Sequence, residues 1–288
     1  MLRTNYLLLL LYFCGVLSVS GQQPGDSLLK LSCSEHSYTS YLPVSNKPLE
    51  VIRHTDYALG YAEPHEQAAW VCYVLSKTEC KGEEKRGSSF YPDNAVTTVS
   101  ATNADYKSSG YDRGHLAPAG DMSFSATAMK ESFYYSNMSP QVPAFNRGIW
   151  KLLESQVRTW GQVSGPLLVI TGPVLTDSLP FIGVNEVAVP DWYYKIVVNP
   201  SSVPPQAIGF LLRNEASEKN LYEFAVTVDA IEAVTGIDFL PGLPEADQQK
   251  IESQVNGSYW KGMDQVKITP DAPSLPKKCK VKKEKHTK

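Results

Sequence analysis

The sequence predicts a single domain of the α+β class. Three observations carry this expectation. Apolar runs of strand length lie both before and after a central polar segment, Asp105 to Glu154. The clearest helical periodicity belongs to that central region, where Ile149, Leu152, Leu153 and Val157 recur at three- and four-residue steps. The order of elements is not the regular strand–helix alternation that a parallel sheet demands, and there is no internal repeat. The 288 residues are 42% hydrophobic and 20% charged, ample apolar material for a core. We divide the chain into a leader (1–21), an irregular lead-in (22–48), the domain proper (49–265) and a tail (266–288).

The lead-in is polar and rich in Ser, Pro and Tyr, with little to bury. The apolar pattern begins at Leu49. Val51 to His54 and Tyr57 to Tyr61 read as short strands, and Ala68 to Leu75 as a stronger one. Lys81 to Arg86 is a charged turn, and Pro92 excludes a central strand around Phe90 to Asp93. Ala101 to Gly110 clusters Asn, Asp, Ser and Gly and reads as loop. A short helix is expected around Ala126 to Ser132, an extended corner at Asn137 to Pro140, and the best helix of the chain over Phe145 to Trp160. Leu167 to Gly172, Glu186 to Val189, Trp192 to Val198 and Ala207 to Leu212 read as further strands. Val226 to Thr235 reads as a helix, with Asp229 near its start and Gly236 just past its end. After Phe239 the chain thins into Pro, Gly, Asp and Lys.

Met1 to Gly21 has the pattern of a secretory signal: Arg3, then an uncharged Leu-rich run from Tyr6 to Leu17, then small residues. The run is shorter than the roughly 20 residues of a bilayer span. An uncleaved N-terminal anchor is the alternative. This pattern leads us to expect export, extracellular or periplasmic, without stable membrane association. Four cysteines follow the leader: Cys33, Cys72, Cys80 and Cys279. An even count in an exported chain favours two disulfides, in any of three pairings. No Cys-x-x-Cys spacing supports a zinc site. The formal charge of −3 is unevenly spread, since Lys277 to Lys288 carries +6 and leaves −9 on the rest. An acidic body argues against tight passive binding of nucleic acid, which rests on neutralising phosphates. It leaves room for a local basic cleft.

The central segment carries the chemistry. His115 lies in Asp112-Arg113-Gly114-His115. A neutral imidazole can take a proton from water near neutral pH, and Arg113 offers a planar donor fork to phosphate oxygens. If His115 must be neutral, activity should fall as pH drops through about 6.5, the unperturbed imidazole value. Asp112 reads as a structural partner for nearby backbone or arginine. On an ideal helix Asn146 and Glu154 would lie about 80° apart around the axis and about 12 Å apart along it. That is too far for easy shared ligation. Asn146 binding a metal directly and Glu154 holding one of its waters is the natural arrangement, and oxygen ligands with retained waters suit Mg²⁺. On spacing alone the plainer reading, an N-cap Asn and an exposed Glu, is the default. Asn137 alone reads as a turn residue. Asn137-Met138-Ser139 and Asn256-Gly257-Ser258 also match the N-glycosylation pattern, coincidentally in the first case.

Taken in order, Asp-Arg-Gly-His, then Asn137-x-x-Pro140-Gln141, then Asn146-x-Gly148-x-Trp150-x-x-Leu153-Glu154 resembles the DNA/RNA non-specific endonuclease family of the ββα-metal (His-Me finger) superfamily. The similarity extends through Val169 to Val174, Val187 to Lys195 and Ile231 to Phe239, covering roughly Val51 to Leu240. It implies a mainly antiparallel central sheet flanked by helices, with a ββα-metal motif at the active site. It implies His115 as general base and Asn146 as the direct ligand of one Mg²⁺, with Mn²⁺ as a substitute. Glu154 would orient the ion's water shell, Arg113 would contact the phosphate and stabilise its developing charge, and Asn137 would help hold the His115 ring and the site geometry. An upstream arginine is also implied; Arg86 matches best, with Lys85 beside it the competitor. The implied activity is Mg²⁺-dependent hydrolysis of DNA and RNA with little sequence preference, leaving 5′-phosphate ends, in a family whose members are often homodimers. A phosphodiesterase acting on small nucleotides, or a catalytically silent nucleic-acid-binding member, stays open at this point.

Overall fold

Side-chain alternation along long apolar strands builds the fold. The computed structural model describes residues 41–265. In chain order it contains β1 (Val44–Ser45), β2 (Glu50–Arg53), β3 (Ala58–Ala62), β4 (Gln67–Leu75), α1 (Asn103–Tyr106), β5 (Asp112–His115), α2 (Ala126–Glu131) and β6 (Met138–Gln141). There follow α3 (Pro143–Phe145), α4 (Lys151–Ser164), β7 (Leu167–Pro173), β8 (Phe181–Ile182), β9 (Val187–Ala188), β10 (Trp192–Asn199) and β11 (Gln206–Arg213). The last elements are β12 (Ala225–Val226), α5 (Val228–Thr235), β13 (Ile237–Asp238), α6 (Glu245–Glu252) and α7 (Gly257–Asp264).

Seven strands form one sheet in the order β12-β11-β10-β7-β4-β3-β2, every neighbouring pair antiparallel. Successive side chains on a strand point to opposite faces, and here both faces are covered. Tyr73, Leu75, Val169, Tyr193 and Val197 face one side, with Leu153, Val157 and Trp160 of α4 and Trp260 of α7. Cys72, Leu168, Ile170, Tyr194 and Ile196 face the other, with Val228 and Ile231 of α5 and Ile251 of α6. Two covered faces explain why the strands read as nearly unbroken apolar runs. The α+β class and the antiparallel sheet flanked by helices are therefore as expected.

Several local expectations are corrected. Val44–Ser45, inside the lead-in, pairs with Ile237–Asp238 and ties the start of the described chain to its later half. The expected Phe145–Trp160 helix is interrupted: Asn146–Trp150 is a wide turn, and Gly148 (φ −103°, ψ −114°) leaves helical geometry before α4 begins. Leu152, placed on the buried stripe by periodicity, is 54% exposed because the break changes the phase. α6 and α7 form where no helix was expected. Among the described residues Cys72 and Cys80 are free thiols and do not pair with each other. Cys72 lies within the sheet, and Cys80 packs close to Gly161 of α4. Cys33, Cys279, the leader and the basic tail lie outside the described residues.

Candidate active site

The site is built on a two-stranded finger, β5 against β6, with Asp112 opposite Gln141, Gly114 opposite Ser139 and His115 opposite Met138. Gly114 is required by close approach: a Cβ there would lie 2.2 Å from Cδ of Gln141. Asn137, fully buried, clamps the chain just beyond His115. Its Nδ2 donates to the carbonyls of Ala117 (3.0 Å) and Ser132 (2.8 Å), and its Oδ1 accepts from the Ala117 amide (2.8 Å). The Leu116 amide donates to the Asn137 carbonyl at 3.0 Å. The hydrogen bonds of the Asn137 side chain thus go to main chain, two residues beyond His115 and at Ser132. Its burial also excludes its use as a glycosylation site in the folded protein.

The ring of His115 is held by aromatic contacts. Phe133 meets it edge-on at 4.9 Å and Phe90 lies 5.9 Å away. The imidazole also bonds to the backbone of Arg113, while Nε2 is buried with no protein partner among the described residues. Burial, with a smaller contribution from the Arg86 cation, depresses the imidazole pKa to about 3. Burial thus favours the neutral ring at pH values below the unperturbed 6.5.

Two arginines flank the base. Arg113 donates from Nε to the Tyr135 hydroxyl (3.2 Å) and from Nη2 to Oδ1 of Asn103, and its guanidinium lies over Phe90 (5.0 Å) and Tyr106 (5.8 Å). Asn103 is held in place by the capping box of α1, formed by Thr102 and Asp105. Arg86 is exposed, and its guanidinium sits 5.3 Å from the centre of the Phe133 ring, whose edge touches His115. Its charge acts on both His115 and Glu154. No comparable influence of Lys85 on either group is seen.

Asn146 is aimed by Asp112. Asn146 Nδ2 donates to Asp112 Oδ2 at 2.9 Å. A carboxylate can only accept, so the amide NH₂ faces Asp112 and the amide oxygen is left for another partner. Arg147 forks onto the same carboxylate, at 2.8 and 2.6 Å, and together these bonds hold the Asp112 carboxyl below its usual pKa against the effect of burial. Asp112 is thus the structural partner the sequence indicated. The Asn146 amide oxygen and the Glu154 carboxylate are both hard oxygen donors, the type that suits a divalent cation such as Mg²⁺.

Glu154 sits above a buried charge that sequence reasoning missed. Lys195, at the centre of β10, is fully buried, donates to Thr171 Oγ1 (2.5 Å) and lies 5.0 Å from the Trp150 ring centre. Burial raises the Glu154 carboxyl and lowers the Lys195 ammonium, and each group's charge offsets part of the other's shift. Asp121 and Arg158 complete the group, paired at 2.5 Å, with the Tyr73 hydroxyl donating to Asp121 at 2.6 Å. The available signal was a lone charge in the apolar run Trp192 to Val198. Phe90 and Phe133 were also missed, because aromatic residues at such positions read as ordinary core.

Residues 37–246 match the DNA/RNA non-specific endonuclease family. The chain is 35% identical over 212 residues to a mouse protein named Nuclease EXOG, mitochondrial, covering 67% of this chain and 58% of that protein's length. It is 33% identical over 211 residues to Nuclease C1 of Cunninghamella echinulata var. echinulata, covering 67% of this chain and 84% of that protein. A crystal structure of the EndoG/EndoGI complex contains a similar chain, with a TM-score of 0.65 and 30% identity, covering 72% of this chain and 90% of that one. The expectation of export is corrected by relatives named as mitochondrial in mouse, zebrafish, human, frog, cattle and fission yeast. Its support was the composition of the 21-residue leader. The match across residues 37–246 shows that the chain belongs to the DNA/RNA non-specific endonuclease family.

Proposed function

We propose that the protein is a Mg²⁺-dependent endonuclease that hydrolyses DNA and RNA with little sequence preference, and that it acts in the mitochondrion. The observation that carries this reading is the coupling of base and ligand through one strand. β5 presents His115, neutral and buried, while its first residue, Asp112, orients the amide of Asn146. Nε2 of His115 accepts the proton of the attacking water. Arg113, and Arg86 on the far side of Phe133, donate to phosphate oxygens as their charge develops. Asn146 through its amide oxygen would hold the ion, and Glu154 would hold one of its waters. When bound, the ion supplies positive charge to the phosphate and to the departing oxygen. Recognition through arginine and phosphate carries no base information, which accounts for low sequence preference. The mitochondrial compartment is inferred from the names of the relatives.

The test is digestion of plasmid DNA and of RNA by the full chain with Mg²⁺, with chelator, and by His115→Ala and Asn146→Ala. Cleavage is expected only for the native protein with Mg²⁺, and each variant should lose on the order of 10²-fold or more. Native rates from either variant would overturn that residue's role. Cleavage unaffected by chelator would overturn metal dependence, and turnover of dinucleotides without plasmid cleavage would redirect the substrate class.

A further inference from the structure

β10 joins two ends of the molecule. Near its start the Tyr193 hydroxyl donates to the Pro140 carbonyl of the finger at 2.9 Å. Roughly 20 Å further along the strand, Asn199 borders a groove that the reading above does not use. The groove runs between the loop 200–205, α7 and α6. Its larger part, a cavity of about 490 Å³, takes apolar surface from Val163, Val203, Tyr259 and Met263 and polar groups from Ser202 and Gln206. A smaller cavity of about 100 Å³ continues it to Asp247, Lys250 and Ile251 of α6, with Pro204 and Gln206 shared by both. Hydrogen bonds hold the walls in place. Asn199 Nδ2 donates to the Tyr259 hydroxyl at 2.7 Å, Asn199 Oδ1 accepts from the Ser201 amide at 3.0 Å, and the Ser202 hydroxyl donates to the Asn199 carbonyl at 2.9 Å. Val203 nonetheless leaves an apolar side chain 99% exposed. The family match ends at residue 246, before α7 begins, so the groove is built partly from chain outside that match.

Where the described chain ends indicates what covers this groove. α7 ends at Asp264, next to Met263 of the groove wall, and residues 266–288 continue from there. Residues 266–276 suit the groove in composition. Val266, Ile268 and Leu275 supply apolar side chains, and Pro270, Pro273 and Pro276 favour an extended backbone whose carbonyls can accept from hydroxyl and amide side chains. Such a segment reaches about 35 Å, against about 12 Å for the length of α6. Charge agrees with this course. Residues 277–288 carry seven Lys and one Glu. The first turn of α6 presents Glu245 and Asp247, neither in an ion pair among the described residues, and Lys250 offsets only one of them. We propose that residues 266–276 dock along this groove and set the lysines that follow on the acidic start of α6. Since α6 covers the sheet face opposite α4, the basic tail is a clamp on the fold and not a nucleic-acid arm at the active site.

The full chain is used for the test. Amide hydrogen exchange of residues 266–276 is compared with that of a free peptide of the same sequence. Carbodiimide, which joins amines to carboxylates in contact, is followed by peptide mass spectrometry. Exchange is expected to be roughly tenfold or more slower in the protein than in the peptide, with links from Lys277 or Lys278 to Glu245 or Asp247. Both signals should be lost in Ile268→Asp and in Val203→Asp. The second variant alters a side chain exposed to solvent, so the amides of β10 and β11 should keep their native protection. Exchange at the free-peptide rate across residues 266–276 would overturn the proposal, as would protection that survives both variants. Three other results would also overturn it. Links between isotopically distinct copies would make the groove an interface between copies. Links to the groove from residues 22–40 would give it to the lead-in. Protection that develops only when DNA is added would make the tail a nucleic-acid arm.

Discussion

At the scale of single residues, environment decides what each functional group can do. His115 lies between two phenyl rings and near a guanidinium, and these hold its pKa at about 3. The unfolded chain takes up a proton at about pH 6.5; the folded chain refuses it until about pH 3. Stability from this group is therefore fully present above 6.5 and is lost progressively as pH falls from 6.5 toward 3. Nitrogen-detected NMR should show a neutral His115 ring at pH 5, and His115→Asn should flatten the fall of melting temperature across that window. A ring that titrates near 6.5 would refute the arrangement. Any acid limb of activity near neutrality is then assigned to Glu154, whose carboxyl burial pushes upward. His115, Arg113, Asn146 and Glu154 were candidates from residue type and order. Lys195 was not, because its meaning depends on which strand lies beneath Glu154, a fact of tertiary structure.

Elements show a similar division. Strands β3, β4, β7, β10 and β11 were legible because both faces of the sheet are buried, and their apolar runs announce it. Helices α6 and α7 were not. Their sequence is rich in Pro, Gly and charge, and their stability comes from tertiary contact, such as Trp260 of α7 against Trp160 of α4 at 4.7 Å. α6 meets α5 through carboxyl groups: Glu252 lies within 4.8 Å of Asp229 and Glu232. Gln248 of the same helix donates to Asp238 at 2.7 Å and more weakly to Glu252 at 3.4 Å. Burial, and then the charge of Glu232, raises the Glu252 pKa to about 8. Here the folded state keeps the proton longer than the unfolded chain. Stability is highest below about pH 4.5 on this account and is lost as pH rises toward 8. Glu252→Gln should raise stability at pH 9 by on the order of 1–3 kcal/mol, with little change at pH 4. Equal shifts at both values, read by urea denaturation, would show that the carboxyl does not titrate as described.

For the whole molecule, the two faces of one sheet divide the labour. The finger, the broken helix and the buried Lys195–Glu154 pair gather on the face that carries α4, while α5 and α6 close the other. No helix among the described residues is long and apolar enough to cross a membrane. The compartment was the expectation that failed, and cysteine chemistry is where the whole fold bears on it. Cys72 is enclosed in the sheet, with its thiol pKa raised by burial, and the Cys80 thiol is pushed up to about 12. Neither is reactive as a thiolate at neutral pH, and the fold needs no oxidising surroundings to hold them. Denatured without reductant, the protein should therefore label with maleimide at both Cys72 and Cys80 by peptide mass spectrometry, and reductant should not change the affinity for Mn²⁺ or the rate of cleavage. A cross-linked peptide containing Cys72 would mean that the sheet packs differently, and one containing Cys80 that the last turn of α4 does, since Gly161 presses against Cys80.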